Sequence, residues 1–116
     1  MCLYSFAVNA INALFGHFSR TSKLDGAGEF STSDCNNRFT NLVHCDCYNA
    51  SCTVTALDLS STGLKGEIPK EIGKLTSLAA LYLDDNKLRK IPSWLQNLSM
   101  LSIISLSGNN FDGPIL

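Results

Sequence analysis

The feature that most limits what this chain can fold into is a repeat that begins at Val54. Val54, Leu57 and Leu59 are followed by Leu78, Leu81 and Leu83, and then by Leu101, Ile104 and Leu106, so unit heads at 54, 78 and 101 stand 24 and then 23 residues apart. The last two apolar residues of each triplet are separated by a single residue, which on an extended strand puts them on one side of the backbone. Leu57 with Leu59, Leu81 with Leu83 and Ile104 with Leu106 are therefore expected to face an interior. Each unit also carries later apolar residues, Leu64, Ile68, Ile72 and Leu75 in the first and Leu88, Ile91, Leu95 and Leu98 in the second, which supply a back wall. A unit this short cannot stand alone, so stacking on neighbours must supply much of its stability. The third unit stops at Gly113-Pro114-Ile115-Leu116 with Phe111, Ile115 and Leu116 awaiting a further coil, so the chain is expected to be a fragment of a longer protein.

A period in the twenties, leucines spaced L-x-x-L-x-L, an Asn three residues later and then an apolar residue are the signature of leucine-rich repeats. Asn86 and Asn109 hold the Asn position and are expected to turn inward to satisfy backbone groups between coils, because an unpaired buried amide costs roughly 1 to 3 kcal/mol. Thr62 replaces it in the first unit and suggests an edge repeat. The stretch LDLSSTGLKGEIPKEIGKLTSL, residues 57–78, resembles the plant-type subclass, with Gly66, Ile68, Pro69, Ile72, Gly73 and Leu75 at the positions of its L-x-G-x-I-P-x-x-L-G-x-L segment. Two units depart from that pattern. Leu88-Arg89-Lys90-Ile91-Pro92 is one residue short and lacks the Gly, while the third unit has Pro114 one place early and Leu116 where the proline would stand. The second strand on the flank of those two units is left open.

Upstream, Val43-His44-Cys45, Cys47, Cys52 and Val54-Thr55-Ala56-Leu57-Asp58-Leu59-Ser60 resemble the N-terminal cap of the same family, although the usual cap tryptophan is absent and the cysteine spacing differs. The resemblance implies an α/β leucine-rich-repeat solenoid, a right-handed coil with parallel strands on its concave face, behind a short helical, cysteine-containing N-terminal cap. Residues 1–20 then form an amphipathic helix or a weak signal-like segment, 21–34 a linker, 35–53 the cap, and 54–116 the repeats, divided at 54–77, 78–100 and an incomplete 101–116. Receptor kinases, receptor-like proteins and inhibitors of microbial wall-degrading enzymes in plants carry such repeats, which implies an extracellular recognition module.

In the opening segment Val8, Ile11, Leu14, Phe15 and Phe18 recur at helical spacing and would line one face of a short helix. The competing reading is a signal peptide cleaved near Ala10 or Ala13; the missing positive n-region and the interruptions at Asn9 and Asn12 speak against it. No apolar run is long enough for a transmembrane helix, so no membrane insertion by this segment is expected.

Cys35, Cys45, Cys47 and Cys52 lie close together and Cys2 stands apart, a distribution that points to an oxidising compartment. Three pairings are open to the four, and proximity alone favours Cys35 with Cys45 and Cys47 with Cys52. Zinc, with His44 as a further ligand, is disfavoured, because C-x-C and C-x4-C are not the usual C-x2-C knuckle. No metal or cofactor is expected. Asn49-Ala50-Ser51 and Asn97-Leu98-Ser99 are glycosylation sequons, meaningful if the chain is secreted.

The outward positions of the strands supply the candidate surface: Asp58 and Ser60, then Ala80, Tyr82, Asp84 and Asp85, then Ile103 and Ser105. A Tyr beside paired acids suits contact with a protein, peptide or glycan; an ordinary solvated face fits the same residues. Trp94 is assigned to packing. With nine basic against ten acidic residues, nothing steers the chain toward nucleic acid. No nucleophile, base and orienting group converge, so it is not expected to be an enzyme, although a kinase domain could follow in a longer parent. The leading expectation is a receptor-like recognition module. The alternatives are an intracellular scaffold with reduced cysteines and an inhibitor of a wall-degrading hydrolase.

Overall fold

The computed structural model describes residues 2–3, 5–16, 31, 34–35, 42–49 and 51–112. Phe18, Ile115, Leu116 and most of the 21–34 linker lie outside them. The chain opens with β1 (Cys2–Leu3) and α1 (Ser5–Phe15), then forms a hairpin from β2 (Val43–Tyr48) and β3 (Ser51–Asp58). The repeats add β4 (Lys65–Glu67), a 3-10 helix (Lys70–Lys74), β5 (Ala80–Tyr82), β6 (Lys87–Lys90), a second 3-10 helix (Ser93–Asn97) and β7 (Ile103–Ser105).

The leucine triplets become a parallel ladder. Leu57 pairs with Leu81 and Leu81 with Ile104, so β3, β5 and β7 lie side by side in the register that the repeat predicts. The ladder continues past the strand ends, where Leu59 N donates to Tyr82 O at 2.8 Å and Leu83 N donates to Ser105 O at 2.8 Å. Leu57, Leu59, Leu81 and Leu83 are fully buried. Ile104 departs from the expectation: it holds the same register position yet is 39% exposed, because no coil covers it on the far side among the described residues.

A second parallel sheet runs along the flank. β4 pairs with β6 through Lys65 with Lys87 and Gly66 with Leu88, and a register shift then brings Glu67 opposite Lys90. The flank strand left open for the second unit is therefore formed. The third unit continues the same edge, with Asn110 N donating to Leu88 O at 3.1 Å and Asp112 N to Arg89 O at 3.0 Å.

The return path from flank to main sheet follows from a period of three. In the first unit Ile72 N donates to Pro69 O, Leu75 N to Ile72 O and Leu78 N to Leu75 O; Leu95, Leu98 and Leu101 repeat the chain of bonds from Pro92. Residues three apart eclipse on a 3-10 helix, so one side of the segment is apolar. Proline at its start is pre-set in φ and needs no donor there. The expected back wall forms with Ile68, Ile72, Leu75, Leu88 and Leu98 buried, while Ile91 and Leu95 are half-buried. Trp94 packs beside Gly73, where a Cβ would meet its ring at 3.2 Å.

The N-terminal end is closed by the cap. β2 pairs antiparallel along β3 from Val43 opposite Leu57 to Tyr48 opposite Ser51, and β1 pairs in parallel with the start of β3. β3 runs through position 54, so cap and first repeat share one strand. On α1, Ala10, Ile11 and Leu14 are buried in the common core and Val8 and Phe15 pack against it. Cys35 bonds to Cys45, and Cys47 bonds to Cys52 across the hairpin. With all four sulfurs in disulfides, no thiolate is left among them for the zinc alternative.

Candidate functional site

The outward side of the main sheet is organised in rows fixed by register. Ala56, Ala80 and Ile103 form one row, and Asp58, Tyr82 and Ser105 the next. Beyond the strand ends a third row is carried by Ser61 N donating to Asp84 O and Asp85 N donating to Ser107 O. The face thus passes from apolar to acidic across adjacent rows, with Tyr82 in the middle strand.

These positions do not contribute equally. Ile103 is half exposed, Asp58, Ser60, Tyr82, Asp84 and Ser105 are partly exposed, and Asp85 is exposed. Ala80 is 9% exposed and offers a partner almost no surface, a correction to its place in the candidate set that follows from a methyl side chain flanked by strands on both sides.

Asp84 is held by its neighbours. Its Oδ1 accepts from Ser105 Oγ at 2.7 Å, from Ser107 N at 2.9 Å and from Ser107 Oγ at 2.9 Å. The Ser105 hydroxyl, helped by Ser107, holds the carboxyl below its ordinary value against the opposing effect of burial, so it stays ionised. All three bonds reach Oδ1, which leaves Oδ2 as the acceptor for solvent or a partner. Asp58 is restrained more locally, its Oδ1 accepting from Ser60 N at 3.1 Å.

Beneath the face, two Asn side chains tie the coils together. Asn86 is buried; its Oδ1 accepts from Thr62 N and Leu64 N, both at 3.1 Å, and its Nδ2 donates to Leu59 O and Leu83 O, both at 3.0 Å. Asn109 repeats this between the next pair, accepting from Leu88 N at 3.0 Å and donating to Leu83 O at 2.8 Å and Leu106 O at 3.0 Å. A side-chain amide carries both an acceptor and two donors, so one residue can serve two coils. Thr62, fully buried, donates from Oγ1 to Leu59 O at 2.6 Å within its own coil and reaches the next coil only through Asn86 Oδ1, 3.4 Å from the same hydroxyl.

The turn that brings Thr62, Asn86 and Asn109 inward uses a left-handed residue just before each, Ser61 (φ 56°), Asp85 (φ 56°) and Gly108 (φ 72°). The sequence analysis missed all three; Gly108 and, more weakly, Asp85 are residue types that favour this conformation, and Ser61 is not. On the flank, Arg89 is ion-paired with Asp112, and the guanidinium holds that carboxyl below its ordinary value. Both sequon asparagines are exposed, Asn49 at the hairpin tip and Asn97 at the end of the second 3-10 helix. Among the described residues no group of three His, Cys, Asp or Glu could hold a metal ion, and no helix is long and apolar enough to cross a membrane.

Residues 52–111 of the 116 match the family model described as leucine rich repeat. Receptor-like protein 18 of Arabidopsis thaliana is 40% identical over 68 residues, which cover 58% of this chain and 8% of that protein. Receptor-like kinase TMK2 of the same plant is 29% identical over a 119-residue alignment covering 81% of this chain and 13% of its own. The crystal structure of the BIR2 ectodomain from A. thaliana superposes with a TM-score of 0.74 at 26% identity, over 94% of this chain and 58% of that one. The leucine-rich-repeat ectodomain of the receptor kinase SOBIR1 superposes with a TM-score of 0.69 at 23% identity, over 96% and 58%, a likeness of fold alone.

Proposed function

We propose, from the premise that this chain belongs to the leucine-rich-repeat family and is of the plant receptor type, that it is the N-terminal part of a receptor-like ectodomain binding a protein, peptide or glycan partner. In this reading the units wind as a right-handed solenoid and the β3–β5–β7 side is its concave face. The module recognises and does not catalyse. The observation that carries the reading is the row Asp58, Tyr82, Ser105, held in register across three hydrogen-bonded strands beside the braced Asp84 carboxylate. A surface fixed in this way loses little freedom on binding, and an aromatic at its centre is the residue type that most often dominates contact energy.

Two disulfides in the cap and relatives named as receptor-like proteins favour the extracellular side of a membrane over a reducing interior. Nothing supports the scaffold with reduced cysteines. The test is an array of recombinant plant receptor ectodomains, with chitin and pectin oligosaccharides alongside, probed with the wild-type chain and with Tyr82→Ala. Loss of a tenfold or greater share of affinity in the variant supports the face; binding that survives Tyr82→Ala and Asp58→Ala together moves the contact elsewhere.

A further inference from the structure

We propose that Asn49, at the end of β2 beside Tyr48, is an N-glycosylation site at which the first sugar packs on the Tyr48 ring. This rests on the extracellular reading above, since the sugar is added only in the secretory pathway. Four observations converge there. Asn49 is exposed, with φ 50°, directly after the last residue of β2. Tyr48, the residue before it, is 81% exposed, the most exposed large hydrophobic side chain of the described residues. Ser51, the hydroxyl residue that completes the sequon, is paired directly across from Tyr48. Tyr48, Asn49, Asp46, Ser51 and Thr53 line one shallow depression on the outside of the hairpin.

The open Tyr48 ring is a broad apolar surface with a polar tip, available to a group attached beside it. A pyranose presents one face of C–H bonds, which matches the electron-rich face of an aromatic ring. An Asn in the left-handed region leaves the strand path immediately after Tyr48, so an attached sugar starts beside the ring. The transfer forms a bond between Asn49 Nδ2 and the anomeric carbon of the sugar. It breaks the bond from that carbon to the diphosphate of a lipid-linked oligosaccharide donor, and releases the lipid diphosphate and an amide proton. Asn97 provides an internal comparison: Gln96 precedes it, and Trp94 nearby is packed beside Gly73.

The experiment directs the full chain through the secretory pathway of a eukaryotic host behind a cleavable leader and maps glycan occupancy at both sequons by peptide mass spectrometry. Melting is then measured for wild type, Asn49→Gln, Tyr48→Ala and the double variant. Occupied Asn49 with a glycan-dependent rise of about 3 to 6 °C in Tm that disappears in Tyr48→Ala is the expected result. Asn49 empty while Asn97 is filled overturns the proposal and leaves the extracellular reading intact. Asn49 filled with the same rise in wild type and Tyr48→Ala overturns the packing. Both sequons empty and the cysteines reduced removes the proposal together with the reading beneath it.

Discussion

The two ends of the repeat stack carry the same sequence pattern and meet different fates. Leu57 and Ile104 occupy one register position, and the first is fully buried while the second is 39% exposed. At the N-terminal end, β2 covers the ladder edge, α1 adds Ile11 and Leu14 to the core, and two disulfides fasten the hairpin. At the other end Ile103 and Ile104 stand open among the described residues. Burial in a stack of this kind is decided by having a neighbour on both sides, not by the apolar residue itself.

That contrast can be broken most severely at the cap. Reducing both disulfides should lower stability by roughly 2 to 3 kcal/mol each, given loops of 10 and 5 residues. Urea unfolding with and without reductant measures it, and an unchanged midpoint would show that the hairpin needs no fastening. Next, the register position itself can be compared. Leu81→Ala, at the fully enclosed position, should cost about 2 to 5 kcal/mol, and Ile104→Ala at the open edge about 1 kcal/mol or less. Equal losses would mean that the edge is covered in solution.

The Asn pair sharpens the same comparison at smaller scale. Asn86→Ala strands two buried amides and should cost about 3 kcal/mol, against about 1 kcal/mol at the half-buried Asn109, where water can replace the lost partner. Thermal melts of the two variants, ranked against wild type, decide whether burial sets the order. Smallest is the effect of acid. Asp84 and Asp112 have carboxyls held below their ordinary value, so their contribution is complete above the unfolded value and is lost as pH falls through the lower folded one. Stability should be flat near neutrality with respect to these two groups and decline on acidification, and Asp84→Asn should make the acid limb of the curve shallower.

Much of this architecture was legible in the residues. The leucine triplets gave the strand register, and Ile68, Ile72 and Leu75 were legible as a back wall; that this wall winds as a 3-10 helix was missed, although Pro69-x-x-Ile72-x-x-Leu75 carries a period of three. The β2–β3 hairpin was missed, although Val43-His44-Cys45-Asp46-Cys47 alternates and Asn49 marks the turn. Its cysteines drew the reading toward pairing chemistry instead of strand period. The flank strand of the second unit was left open because one residue is missing between Leu88 and Pro92; the register shift at Gly66 and Glu67 absorbs the difference. For the outward face, sequence could name Tyr82 and Asp84 but not that Ser105 and Ser107 hold the carboxylate, since those contacts cross 21 and 23 residues.

The sequence by itself determined the repeat length, the side of each strand that turns inward and the positions where an amide must bridge coils. All three depend on local periodicity and on the donors and acceptors of one side chain. Only the tertiary structure decided which apolar residues are enclosed, which acidic group is restrained and where the cap meets the first coil. Those properties belong to the neighbours a residue acquires when distant segments stack, and triplets of the same apolar pattern at the two ends of the ladder cannot encode them.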